Sequence, residues 1–377
     1  MGASPSRTPG ASPEARGLAL KLGRGAGRNI VPLLFAALCL TGVIAAGIPF
    51  PFLADEITTR MARNLFLVLS LIIPVVAGMG LNFGIVIGAM CGQISLIVVE
   101  NQDWSGIDAL GVAMLVSIPL SLLFGWLTGL LMNRAKGREM ITGMILAFFA
   151  NGIYQFIFLL MAGPVIPLRN ERILLPTGVG LRNTIDLLGT KHRLDELIRP
   201  GIPLSWLSNP DYTPKLFIPV ATLLFIALLA AGLIWYLRTK SGQDLRAVGQ
   251  DRHVAEIAGI GVNRARIRAI ILSTMLGGIG HIIWLHNIGT MNTYQSHEQV
   301  GPYAIAALLV GGATVARATI WHAILGTLLF HTLFIVSPIA AQTILGSAQI
   351  GEFFREFIAY AVIGVTLALH AWKSSRF

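Results

Sequence analysis

The chain has 377 residues, of which 54% are hydrophobic and only 12% charged; the formal net charge is +10 and the mean hydropathy +0.72. A soluble domain carries about a quarter charged residues, so this balance argues against a soluble globular protein and makes lipid the solvent. The basic residues fall between apolar runs rather than on one soluble unit, which argues against nucleic acid as partner and for orientation signals.

The apolar runs are about 17–23 residues long, continuous, and lack period-2 alternation. Helices rather than barrel strands therefore satisfy the backbone in the bilayer. The expected fold class is all-α, a polytopic transmembrane helical bundle. Cys39 and Cys91 both lie inside apolar runs and read as small packing residues, with no disulfide or metal-ligand spacing.

Residues 1–28 are rich in Pro, Ser, Gly and Arg and read as a disordered basic tail. Spans are expected at 30–50, 64–79, 83–99, 109–132, 141–162, 215–237, 267–287, 300–315, 319–337 and 354–372, about ten in all, within a transmembrane body of 29–372. Arg7, Arg16, Lys21, Arg24 and Arg28 place the tail on the cytoplasmic side. Alternation then puts Arg134, Lys136, Arg138, the basic 238–266 loop, Arg317 and the 373–377 tail on that side too. The acidic Glu100–Asp103 loop falls outside. The 163–214 loop also falls outside despite its arginines, and its runs such as Thr184–Leu197 predict an external cap.

Gly80, Gly84, Gly88 and Gly92 recur every four residues and would form one bare stripe on a helix. Two spans meet here with Asn82 at the junction, so the stretch reads either as close helix packing or as a broken or re-entrant helix near 80–84. In the 238–266 loop, Asp251 can cap a short helix running to Ala258, and Gly259 can end it. Ala255 and Ala258 leave one side of that helix small, suited either to a solvated connector or to docking in a partner's groove.

The stretch GQDLRAVGQDRHVAEIAGIGVNRARIRAIILSTMLGGIGH resembles the signature loop of permease subunits of ABC importers serving simple sugars, nucleosides and branched-chain amino acids. Arg138-Glu139-Met140-Ile141-Thr142-Gly143-Met144-Ile145-Leu146 and Asn82-Phe83-Gly84-Ile85-Val86 are similar to segments of the nucleoside-type branch. Val86 and Ala147 depart from that branch, which has Glu and Asn there. The resemblance implies a membrane subunit that translocates a small neutral ring-containing solute: a nucleoside, a simple sugar or a flavin-like compound. It implies that the loop is a coupling helix meeting the ATPase, a role carried by motif position onto Gly249, Asp251, Ala255, Ala258, Gly259 and Ile260. It further implies a cytoplasmic ATP-binding subunit, a second permease subunit of the same or a homologous kind, an external substrate-binding protein, and a bacterial inner-membrane location.

Polar residues within spans are costly and read as functional candidates or as interhelical hydrogen bonds. Asn82, Phe83, Gln93, Asn151, Tyr154, Gln155, His281 and Trp284 are the expected substrate-pathway residues, with His286, Asn287, His322 and His331 as further polar positions. Asn151 and Gln155 share a helix face, and Trp284 with His281 could stack on a ring.

The sequence has no G-x-x-x-x-G-K-[ST] loop, so ATP and Mg would belong to the partner and no cofactor is expected in this chain. Neither a metal-ligand motif nor a nucleophile elbow occurs, so the chain is not expected to be an enzyme. The rival reading is an ion-gradient-driven secondary transporter. It needs intramembrane carboxylates, whereas Asp55, Glu56, Glu298, Glu352 and Glu356 fall at the ends of the expected spans.

Overall fold

The computed structural model describes residues 30–203 and 215–374, with side chains to residue 368. The expected 1–28 tail and residues 375–377 lie outside the described residues.

Helices dominate: α1 (Ile30–Ala46), α2 (Phe50–Ser70), α3 (Ile72–Val76), α4 (Ile85–Asn101), α5 (Ile107–Arg134) and α6 (Glu139–Phe156, continued by a π turn, Ile157–Met161). After the cap come α8 (Val220–Arg238), α9 (Lys240–Gln250), α10 (Arg252–Ile257), α11 (Val262–Ile288), α12 (Val300–Val310), α13 (Ile320–Leu345) and α14 (Ala348–Ser374). The cap holds α7 (Arg193–Leu197) and the short strands β1 (Thr184–Asp186), β2 (Gly201–Pro203) and β3 (Lys215–Phe217). Strand β4 (Thr290–Asn292) follows α11; β1 pairs antiparallel with β4, and β2 with β3. Within the expected Thr184–Leu197 run, the structure forms a strand and a separate one-turn helix.

Among the described residues, six helices are long and apolar enough to cross a bilayer, and three more apolar helices are shorter: Ile30–Ala46, Ile85–Asn101 and Val300–Val310. Six helices, rather than the ten expected, meet that length and composition among the described residues. The 11 residues of α12 rise about 16 Å, roughly half a bilayer core. Charged Glu352, Arg355 and Glu356 interrupt the apolar run of α14. The second span also starts earlier than the apolar run from 64, because Asp55, Glu56, Arg60 and Arg63 are carried on an amphipathic helix that begins at Phe50. Asp55, Glu56, Glu352 and Glu356 thus lie within helices rather than at their ends.

Helix α11 is the axis of the bundle, packed against α5, α4 and α2, while α13 joins α1, α14 and α12 to α2. Small residues make the close approaches possible. A Cβ added at Gly88 or Gly92 would lie 2.3 Å from the carbonyl oxygen of Thr274 or Gly278 on α11. These two glycines form the expected bare contact. Gly80 and Gly84 do not, because the chain leaves the helix between Val76 and Ile85. Gly78 and Gly80 there take φ of +69° and +73°, and Ala77, Met79, Leu81 and Asn82 are buried. The break expected near 80–84 is present and lies within protein. Cys39 and Cys91 are buried free thiols.

The connections segregate to two ends. At one, the 77–84 break, the start of α6, the α9–α10 pair and the 311–319 turn meet: Arg252 reaches Glu139, and Gly80 faces Met140 and Val315. At the other, the cap closes over the helix ends. Gly106 donates to Gly189, Phe217 donates to Asp55, and Thr222 and Asn287 donate to the two carboxylate oxygens of Asp195, each at 2.6 Å.

Candidate functional site

Near the cap end, α4, α6, α11 and the α11–α12 connector enclose one polar network. Gln93 of α4 donates to the carbonyl oxygens of Asn292 (3.2 Å) and Thr293 (2.5 Å). Its Oε1 lies 3.1 Å from His297 Nδ1 and 3.4 Å from His281 Nε2. The other ring nitrogen of His297 lies 2.8 Å from Asn151 Oδ1 on α6. Asn151 in turn donates to the Glu298 carboxylate and accepts from Gln155 at 3.3 Å, so the shared face of Asn151 and Gln155 is observed as a bond. Tyr154 meets the His297 ring edge-on at 4.8 Å, and His281 stacks on Trp284 at 5.5 Å.

Six of the expected pathway residues, Gln93, Asn151, Tyr154, Gln155, His281 and Trp284, therefore come together. Asn82 and Phe83 do not join them. Asn82 sits at the break and donates to Ser273 of α11 at 3.1 Å, an interhelical tie. His286 and Asn287 serve the cap, accepting from the Leu194 amide (2.9 Å) and donating to Asp195. His297 was not among the expected residues, and Glu298 was expected only as a carboxylate at a span end, not as a pathway residue. Their only signal was the polar run Gln295–Gln299 between two apolar segments, which reads as an ordinary connector.

A neutral imidazole has one N–H, so His297 can serve only one of its two oxygen neighbours at a time. Burial pushes its pKa down from 6.5 to about 4, favouring that neutral form. Tyr154 Oη and His281 Nδ1 are buried without a hydrogen-bond partner, so the network is left partly open. A solute can enter by exchanging these bonds, each worth about 1 kcal/mol net, for its own hydroxyl or ring-nitrogen contacts.

At the opposite end, the expected capping is present. Asp251 Oδ1 accepts from the amides of His253 (2.8 Å) and Val254 (3.0 Å), and Gly259 ends the turn at φ +79°. The Val254 amide, followed by that of His253, holds the Asp251 carboxyl below its usual 3.8. Helix α9 was not anticipated; its N-cap is Thr239, whose hydroxyl accepts from the Gly242 amide. Ala255 is buried, whereas Ala258 and Gly259 are exposed and Ile260 is half-buried. Val254 and Ile257 are 61% and 76% exposed, an apolar pair on the outer face of α10.

Gly249 closes on the break: a Cβ there would lie 2.0 Å from the Val76 carbonyl oxygen. Beside it, Glu139 of α6 forms an ion pair with the fully buried Arg266 of α11, and Arg252 of α10 approaches the same carboxylate at 3.9 Å. Among the described residues, no group of three or more His, Cys, Asp or Glu could hold a metal ion.

The sequence model of the family described as branched-chain amino acid transport system / permease component matches residues 53–369. The chain is 30% identical over 180 residues to a nucleoside ABC transporter permease of Lactococcus lactis subsp. cremoris, covering 46% of this chain and 53% of the relative. It is 33% identical over 212 residues to an autoinducer 2 import system permease of Klebsiella pneumoniae, covering 54% and 56%. A fructose import permease of Bifidobacterium longum is 20% identical over 255 residues, covering 67% and 65%. The chain thus spans about half the length of the first two relatives. No solved structure matches it.

Proposed function

The chain belongs to the family of branched-chain amino acid transport system permease components, and we propose that it is the membrane-spanning subunit of an ATP-binding-cassette importer in a bacterial inner membrane. A transport component rather than an enzyme, it would carry a small polar ring-containing solute, of the nucleoside or simple-sugar kind, through the region of Gln93, Asn151, Tyr154, Gln155, His281, His297 and Trp284. ATP and Mg would be bound by a cytoplasmic partner docked on α10, with Val254 and Ile257 as its apolar contacts. A second permease subunit would complete the path, and a binding protein would deliver solute at the cap end. Both termini would then be cytoplasmic.

The single observation that carries this reading is the contact of Gly249 with the 76–78 turn. It joins the exposed α9–α10 loop to the break leading into α4, and α4 carries Gln93. A push on the loop reaches the network through one short rigid helix. Coupling works only if solute and nucleotide favour different arrangements of that helix.

A second reading, a proton-coupled secondary transporter, is favoured by one observation: the Glu298 carboxylate joins the network through Asn151. Uptake of labelled nucleosides and sugars by proteoliposomes holding the chain with its co-purified partners separates the two. Uptake that needs internal or external ATP and ignores a proton gradient supports the importer; the reverse pattern supports the secondary transporter.

A further inference from the structure

The cap end holds a second polar space, separate from the network around Gln93. A cavity of ≈ 440 Å³, within the size range of small-molecule sites, lies between the end of α4, the 103–105 turn and the cap segments 170–173 and 182–189. Five charged side chains line it: Glu100, Asp103 and Asp186 against Arg172 and Arg182. None of the five forms an ion pair with another described residue. Other bonds hold the walls. Asn170 donates to Asp103 at 3.1 Å, and Arg182 Nε donates to the Leu174 carbonyl oxygen at 2.9 Å.

The five charges differ in what they cost. Asp103, Arg172, Arg182 and Asp186 are exposed, so water solvates them and pairing among them would be worth little. Glu100, in the last turn of α4, is only 6% exposed. Its Oε1 is buried without a hydrogen-bond partner, and a carboxylate there faces the negative end of the helix dipole. Burial, first, and Asp103 push its carboxyl up to about 7. The Gly189 amide and the Thr190 hydroxyl oppose that rise, and Arg172 opposes it least. An opposite charge beside a buried carboxylate stabilises it, and no described residue supplies one at ion-pair distance.

The cavity also touches the polar network. Thr293 donates to the Arg182 carbonyl oxygen at 2.7 Å and accepts from Gln93. Glu100 follows Gln93 on α4 by about two turns.

We propose that this cavity binds a small solute through a primary ammonium group placed against Glu100, with Asp103 and Asp186 adding negative charge on the walls. Three carboxylates outnumber two guanidiniums, and the most deeply buried of the five is a carboxylate, so the site selects a cation. An ammonium group brings three donors and makes charge-assisted bonds to carboxylates. This site is an addition to the importer reading and does not rest on it.

The test uses the full chain with its co-purified partners in nanodiscs of zwitterionic lipid, in an amine-free buffer at pH 8 and fixed ionic strength, and follows thermal stabilisation. The probes are two matched pairs: ethanolamine and ethylene glycol, putrescine and 1,4-butanediol. The ammonium member of at least one pair should act at about tenfold lower concentration than its neutral twin. Glu100→Gln should abolish that difference. Asp186→Asn, on the exposed wall, should raise the concentration of amine required, whereas Arg172→Ala, which removes an opposing charge, should lower it. Should Glu100→Gln fail to fold, the opposite signs of the two wall variants still test the site. Equal action of both members of each pair, no stabilisation by any probe, a preference that survives Glu100→Gln, or wall variants that leave it unchanged would each overturn the proposal. None of these outcomes depends on whether an ATPase co-purifies, so failure here is distinguishable from failure of the importer reading.

Discussion

Gly249 of α9 and Gly78 of the helix break meet backbone to backbone: a Cβ on Gly78 would lie 2.8 Å from the Gly249 Cα, and one on Gly249 would lie 3.0 Å from the Gly78 nitrogen. Neither position has room for a side chain. Gly249→Val should therefore push α9 off the 76–78 turn, at a cost of about 1–3 kcal/mol of overpacking. The measurable outcome is a split. ATP hydrolysis by the reconstituted complex persists while uptake falls by about tenfold or more, and uptake that matches the parent rate would show the contact to be incidental.

Asp251 caps α10 as a carboxylate. Its pKa is lower in the folded chain than the ordinary 3.8, so the cap contribution is fully present above 3.8 and is lost as pH falls through the depressed folded value. Deuterium exchange at the Val254 amide, referenced to Asp251→Ala, which removes the acceptor, reports this directly. Protection in the parent chain should drop toward that of the variant only below 3.8, with the two well separated at neutral pH.

The Glu139–Arg266 pair predicts a double-mutant signature. Glu139→Gln strands a fully buried guanidinium and should destabilise the chain by about 3–5 kcal/mol. Adding Arg266→Met should return most of that loss, because the orphaned charge is gone. Denaturation of the single and double variants in a common detergent checks this; an additive loss would mean that the pair is not coupled.

His297 lies in the α11–α12 connector and is held at a pKa of about 4 by burial. With a folded pKa below the unfolded 6.5, its contribution is complete above 6.5 and is lost as pH falls from 6.5 toward 4. Stability measured across that window should decline for the parent chain and decline less for His297→Gln, which keeps a donor and an acceptor but does not titrate. Parallel curves would remove His297 from the account.

The features readable in the sequence were those made by neighbours in the chain. Asp251 and Gly259 bracket one short helix, and Asn151 lies one turn from Gln155; local geometry alone determines both. The Gln93–His297 contact joins residues 204 apart in sequence, and nothing in the connector Gln295–Gln299 distinguishes it from a solvated loop. Arg266 illustrates a different limit. In the sequence it is one more basic residue in an orientation signal, because counting charges is blind to the single carboxylate, Glu139, that lets it be buried. The start of α2 was hidden for a related reason: Asp55, Glu56, Arg60 and Arg63 break the apolar run, whereas a helix needs only one apolar face to continue.

The most direct measurement is co-purification of the tagged chain from its native membrane, with mass spectrometry of its companions, in parallel with a variant carrying Val254→Glu and Ile257→Arg, both on the exposed face of α10. The account predicts an ATPase bearing a phosphate-binding loop with the parent chain and its loss from the variant, whose α10 surface is spoiled. Recovery of the chain without such an ATPase, together with solute movement driven by an ion gradient in liposomes, would contradict it.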